Sequence, residues 1–216
     1  MPDQTDLPTQ KLYYDSLSVA RRTRQIVHFV AEHDKVAIFA QIIKNSANKQ
    51  IVVVTKSKRK ADELGAYLKT KDVKAIAIHG NHKTKEYEES SKAFNASELN
   101  VIITTDAILQ VLSLSNIELI ISYDFLLKVE SYFTRLAELK EVGLAVALVS
   151  PEDENLLDTI ELVMKLEIPK EEVKEFTPSS LSEEKSVKPV KDRTKKPRYS
   201  RQKKRKIAKI KEISDK

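Results

Sequence analysis

The chain has 216 residues, 41% of them hydrophobic and 32% charged, enough for one ordinary core beneath a well-solvated surface. No apolar run approaches the roughly 18 residues of a membrane-spanning helix, and the polar, acidic start Met1-Pro-Asp-Gln-Thr-Asp6 has no charged-then-apolar leader pattern. Zero cysteines exclude disulfides, thiolate metal sites and a cysteine nucleophile, which fits a reducing compartment; with no such span or leader, a soluble cytoplasmic protein with no membrane partner is expected.

In chain order, Gln50-Ile-Val-Val-Val-Thr55 is a short β-branched run that predicts a strand, and Ala61, Leu64 and Leu68 recur at helical spacing over 58–68. A second strand is expected over Val73–Ile78, then a polar helix from Lys83 to Phe94. Further strands are expected at Val101–Thr104, Ile117–Ser122 and Leu144–Val149. Pro151 and the acids after it open a last helix, whose apolar face carries Leu156, Leu157, Ile160, Val163 and Met164. Near-continuous apolar strands separated by helices predict an α/β fold, a doubly wound parallel sheet with helices on both faces. In such a fold ligands sit at the carboxyl ends of the strands, here the loops after Thr55, Ile78, Thr104 and Ser122. The three glycines, Gly65, Gly80 and Gly143, stand too far apart for a phosphate-cradling G-x-x-x-x-G-K-[ST] loop or a G-x-G-x-x-G turn.

Six fragments at these loops occur in order and in register. They are Asp34-Lys-Val-Ala-Ile-Phe-Ala40, Val54-Thr-Lys-Ser-Lys-Arg-Lys-Ala-Asp-Glu-Leu64, Ile78-His-Gly-Asn81, Thr104-Thr-Asp106, Ser122-Tyr-Asp124 and Glu130-Ser-Tyr132. Together they resemble the second, C-terminal RecA-like domain of DEAD-box RNA helicases. Ala20-Arg-Arg-Thr23 and Glu167-Ile-Pro169 are similar to the RhlE-like group in particular. The resemblance covers roughly 15–170 and implies a linker-like segment at 1–24, a helicase C-terminal domain at 25–170 and a tail at 171–216. It also implies that the chain starts near the interdomain linker and stands without the first RecA-like domain.

Carried over position by position, the resemblance keeps Thr55 and puts Lys56, with Lys58 after it, beside the RNA backbone; the alternative is that Lys56 is a solvated charge following a strand. His79 and Gly80 match the next motif, with Gly80 expected to allow a turn at positive φ. Thr105 and Asp106 match the T-D pair, where the threonine contacts a phosphate; the alternative is that the two side chains cap the following helix. His79 and His82 lack a third ligand nearby, so no metal is expected.

Departures from the pattern include groups that the resemblance assigns to the nucleotide. Thr84 and Tyr87 stand where the family has Q-x-x-R, and Gln110-Val-Leu-Ser113 replaces R-G-x-D. Thr134-Arg-Leu-Ala-Glu-Leu-Lys-Glu141 replaces H-R-x-G-R-x-G-R, so Arg135 is kept while Glu138 and Glu141 occupy the finger positions. Arginine fingers supply about 10³ to 10⁵ in rate; acids there would repel a triphosphate. Val111, Ala137 and Lys140 in place of glycines favour regular helix over a loop closing on a ligand. Glu138, three residues beyond Arg135, is a candidate to pair with it on a helix. A protein without ATPase activity and without a cofactor is expected.

The charge is also divided. Residues 178–216 hold 15 lysines and arginines against 5 acids, a net of +10, which leaves −4 on the other 177 residues. Within that tail Lys195, Lys196, Arg198, Tyr199, Arg201, Lys203, Lys204, Arg205 and Lys206 cluster with few large apolar residues, and Pro189 and Pro197 interrupt it, so a disordered arm is expected. Such charge density attracts phosphates by counterion release. The sequence therefore predicts a non-catalytic RNA-binding protein that uses the tail together with Lys56, Lys58, His79, Gly80, Thr105, Asp106 and Arg135, on single-stranded or structured ribosomal RNA with little sequence preference. Two alternatives stay open: a module docking on a helicase, ribosome-assembly or degradation protein, and the second half of a split ATP-dependent helicase.

Overall fold

The computed structural model describes residues 16–125, 128–139 and 143–177. After a helical segment at 16–22, α1, the elements run β1 (Arg24–Phe29), α2 (Lys35–Asn45), β2 (Ile51–Thr55), α3 (Lys58–Lys69), β3 (Ala75–Ala77) and α4 (Thr84–Asn95). They continue through β4 (Val101–Thr105), α5 (Asp106–Leu109), β5 (Leu119–Ser122), α6 (Val129–Ala137), β6 (Leu144–Val149), a 3-10 turn at Pro151–Asp153 and α7 (Glu154–Met164). Six parallel strands form one sheet in the order β1-β6-β5-β2-β4-β3. This is the doubly wound α/β architecture expected from the sequence.

Strand alternation builds two cores. Ile51 and Val53 face α2 and α3, with Phe39, Ile42, Leu64 and Leu68, whereas Val52 and Val54 face the other side, with Phe94, Phe133, Leu136, Leu157 and Ile160. Every residue of β2 is buried, as expected for a central parallel strand covered on both faces. The connections leaving β2 and β5 run to opposite sides of the sheet, so the crevice at their carboxyl ends is the topological switch point, where such sheets place ligands.

The structure departs from the sequence reading at both ends of the domain. β1 is a sixth strand, and α1 is more than a linker: Ala20 is fully buried, and Arg21 donates to the Met164 carbonyl at 2.9 Å. At the other end ordered packing runs to 177, beyond the boundary drawn at 170. Val27 donates to the Pro169 carbonyl and accepts from the Glu171 amide, so 169–171 lies along the outer edge of β1. Val173 and Phe176 then pack on the core beneath α2. Ala137 closes α6, as the loss of glycine there favours, but Val111 sits in a turn after the short α5 and is 58% exposed. Lys140 and Glu141 lie outside the described residues.

Candidate nucleic-acid interface

The β2–β5 crevice is closed by internal pairing. The backbone N–H of Lys56 donates to Asp124 Oδ2 at 2.9 Å, tying the turn after β2 to the turn after β5. Asp124 Oδ1 lies 3.6 Å from Nζ of Lys35, a lysine whose side chain is only 4% exposed. Nζ of Lys35 also sits 3.4 Å from Glu32 and 5.3 Å above the Tyr123 ring, so a buried ammonium is compensated by two carboxylates and a π face. The Lys56 ammonium, 41% exposed, reaches Asp153 at 3.7 Å. Sequence reasoning quoted Lys35 and Asp124 only as parts of motifs and did not single out Asp153. Their spacing along the chain carries no signal that strand order would bring them together.

Lys58 opens α3 behind Ser57, whose hydroxyl caps the helix by accepting from the Lys60 amide. The Lys58 ammonium bridges to Asn81 Oδ1 at 2.7 Å and stays exposed. Gly80 lies beneath it with an ordinary negative φ, because no described glycine has positive φ. A Cβ there would meet Lys58 Cε and Nζ at 3.4 Å, a normal contact, so the expected left-handed turn is corrected: backbone strain does not require glycine at this position. His79 is 3% exposed, and its Nε2 is 2.9 Å from Asp62 Oδ1 while its ring packs on His82 at 4.4 Å. It faces inward from the candidate RNA surface. Among the described residues no cluster of histidine and acidic side chains is placed to hold a metal ion.

The T-D pair does not cap the following helix with its side chains, which corrects that alternative. Thr105 is the N-cap residue of α5 but makes no side-chain capping bond, and Asp106 turns to Arg135 instead. Arg135 Nε and Nη2 donate to the two carboxylate oxygens of Asp106 at 2.5 and 2.8 Å, a forked pair. Nη1 donates to Ser122 Oγ at 2.8 Å. The guanidinium is 2% exposed, so Arg135 joins the ends of β4 and β5 to α6 from inside and does not present its charge to a phosphate. Beside it, burial pushes the Tyr132 phenol up, and the neutral hydroxyl donates to Gln25 Oε1 at 2.8 Å. The carboxyl edge therefore brings together Lys56, Lys58 and Gly80 as exposed groups and Thr105 and Asp106 as partly exposed ones, with His79 and Arg135 buried behind them. Lys195, Lys196, Arg198, Tyr199, Arg201, Lys203, Lys204, Arg205 and Lys206 lie outside the described residues.

Residues 34–137 match the family model described as the helicase conserved C-terminal domain. Among curated relatives, the DEAD-box ATP-dependent RNA helicase RhpA of Helicobacter pylori is 28% identical over 130 residues, 59% of this chain and 26% of that protein. ATP-dependent RNA helicase SUB2-2 of Vanderwaltozyma polyspora is 31% identical over 134 residues, 60% of this chain and 30% of that protein. The chain thus matches between a quarter and a third of the length of these relatives. Among solved structures, a DEAD box protein from Methanococcus jannaschii superposes with a TM-score of 0.66 at 25% identity, covering 71% of this chain and 43% of that one. The strand order, the motif turns at the carboxyl edge and these matches agree on a RecA-like fold in which residues 34–137 are similar to the helicase conserved C-terminal domain of DEAD-box proteins.

Proposed function

We propose that the protein binds RNA without hydrolysing ATP, through its basic tail and the exposed lysines of the carboxyl edge. One observation supports this most directly. Among the described residues, the arginines nearest that edge are Arg135, buried in its fork with Asp106, and Arg59, paired with Glu63 at 2.9 Å. Arg135 is thus held inward, and Glu138 follows α6 where the resemblance calls for a phosphoryl-stabilising arginine finger. RNA binding needs less: exposed cations along a backbone track, which Lys56 and Lys58 supply in part and the +10 tail supplies in bulk.

Purified full-length protein is expected to turn over no ATP above a heat-inactivated control, with or without RNA. Turnover that co-elutes with the protein through a second chromatography step would overturn the non-catalytic reading. Lys56→Ala in the chain ending at Pro178 should weaken single-stranded RNA binding by about 1 kcal/mol, the scale of one phosphate contact. Unchanged affinity in fluorescence anisotropy would mean that Lys56 serves only Asp153.

A further inference from the structure

A cavity lies on the far side of the domain from the carboxyl edge, away from the loops that the sequence singles out. It has a volume of about 710 Å³ and opens between the carboxyl ends of α2 and α3, beside the amino ends of β2 and β4. Its floor is apolar: Ala40, Ile43, Ile51, Leu68, Val73 and Val101. Tyr67 forms one wall, with the Lys71 ammonium 5.8 Å from its ring centroid.

The rim has a charge opposite to that of the domain around it. Lys44, Lys71 and Lys74 are all exposed at the opening, and Asp72 is the one acid among the lining residues. None of these three lysines has a carboxylate of a described residue at ion-pair distance, so their charge faces the opening uncompensated. Three unpaired cations thus converge on one apolar cleft of a body whose net charge outside the tail is −4. The helix ends explain part of this, because lysines near a helix carboxyl terminus complement its dipole. Lys74 follows α3 at a distance from its last turn and gains nothing from that dipole, yet it borders the same opening.

We propose that this cleft docks an acidic peptide segment of a partner protein, with apolar side chains on the Ala40–Ile43–Leu68 floor and glutamate or aspartate side chains on Lys44, Lys71 and Lys74. Charge complementarity commits the occupant to an anion, and the lining selects a peptide over a small organic acid. Small-molecule sites carry a few polar groups converging inside the cavity to fix orientation. Here the polar lining groups Gln41, Lys44, Lys71, Lys74 and Asn100 are all partly or fully exposed and the interior is apolar, the arrangement of an anchor groove with a polar rim. The site goes beyond RNA binding and stands whether or not RNA binds elsewhere.

The test is selection of random 12-residue peptides displayed on phage against full-length protein, with counter-selection on an Ala40→Trp/Lys71→Glu variant of matching thermal stability. The expected yield is sequences pairing two or more large apolar residues with Asp or Glu. Synthetic copies should lose at least tenfold in affinity on Lys71→Glu alone. They should also lose binding when the apolar residues are replaced by serine, a change that contact with the basic tail would tolerate. Recovery of basic peptides, or of acidic ones indifferent to Ala40→Trp and Lys71→Glu, would overturn the proposal. So would binding of 1-anilinonaphthalene-8-sulfonate to wild type but not the variant with no peptide selected, which assigns the cleft to a small organic anion. A single-stranded oligonucleotide that loses affinity on Lys71→Glu while no peptide does would make it an RNA surface instead.

Discussion

Truncation after Pro178 is expected to lower affinity for unrelated single-stranded RNAs by at least about tenfold and to flatten the salt dependence. If the intact chain neutralises roughly five phosphates on a single strand, log K should fall against log salt with a slope of about −3.5. The truncated chain keeps a net charge of −4 and the two edge lysines, so its slope should lie near that of one or two contacts. The cut coincides with the end of the first compact unit, Met1–Pro178, and removes no residue of either core, so the melting temperature should hold. Tyr199 is the single aromatic of the tail, and lysine dominates its charge, so RNAs of different sequence should bind within a few-fold of one another. Titrations at several salt concentrations decide the matter. Equal affinities and slopes for the two chains would remove the tail from the RNA reading and leave protein docking as the better account.

Arg135→Ala should cost about 3 kcal/mol of folding stability, the second large effect. Removing one partner of a buried pair leaves the other charge uncompensated, typically at 3–5 kcal/mol. The Asp106 side chain is 36% exposed and can recover some hydration, which places the cost at the lower end. The loss also opens space beneath Ser122, whose hydroxyl gives up its guanidinium partner. Arg135→Lys should recover only part, because an ammonium cannot fork onto both Asp106 oxygens. Because the guanidinium is shielded from solvent, the stability difference should persist at 0.5 M salt, where a surface pair would fade. Urea unfolding midpoints read this directly; coincident midpoints for wild type and Arg135→Ala would show the fork to be energetically idle.

How far the molecule could be read from its sequence depends on how local each signal is. The central strands announce themselves as runs of valine and isoleucine, because burial on both faces leaves little room for polar residues. β1 is harder to see because it contains Gln25 and His28, both buried. Their polar groups are satisfied by the Ala20 carbonyl, the Tyr132 hydroxyl and the Glu171 carbonyl, partners up to 143 residues away. Arg135 shows the same limit within the candidate site. Helical spacing nominates Glu138, three residues on, whereas the structure supplies the forked carboxylate of Asp106 from 29 residues back. The lysines at strand ends were legible because a turn position is fixed locally; the acids that tether them were not, because sheet order decides which turns meet.

The segment 169–171 along β1 has a practical consequence for where the chain can be divided. β1 is an outer strand of the sheet, and Val27 spends both its N–H and its carbonyl on this segment. Phe29, 48% exposed, stands at the end of the same strand. A chain ending near 168 would present an uncapped strand edge beside an exposed aromatic, the arrangement through which sheets recruit further strands from neighbouring molecules. Self-association into extended β-structure, rather than unfolding, is then the failure to look for when the domain is cut short, and residues through 177 act as the guard against it.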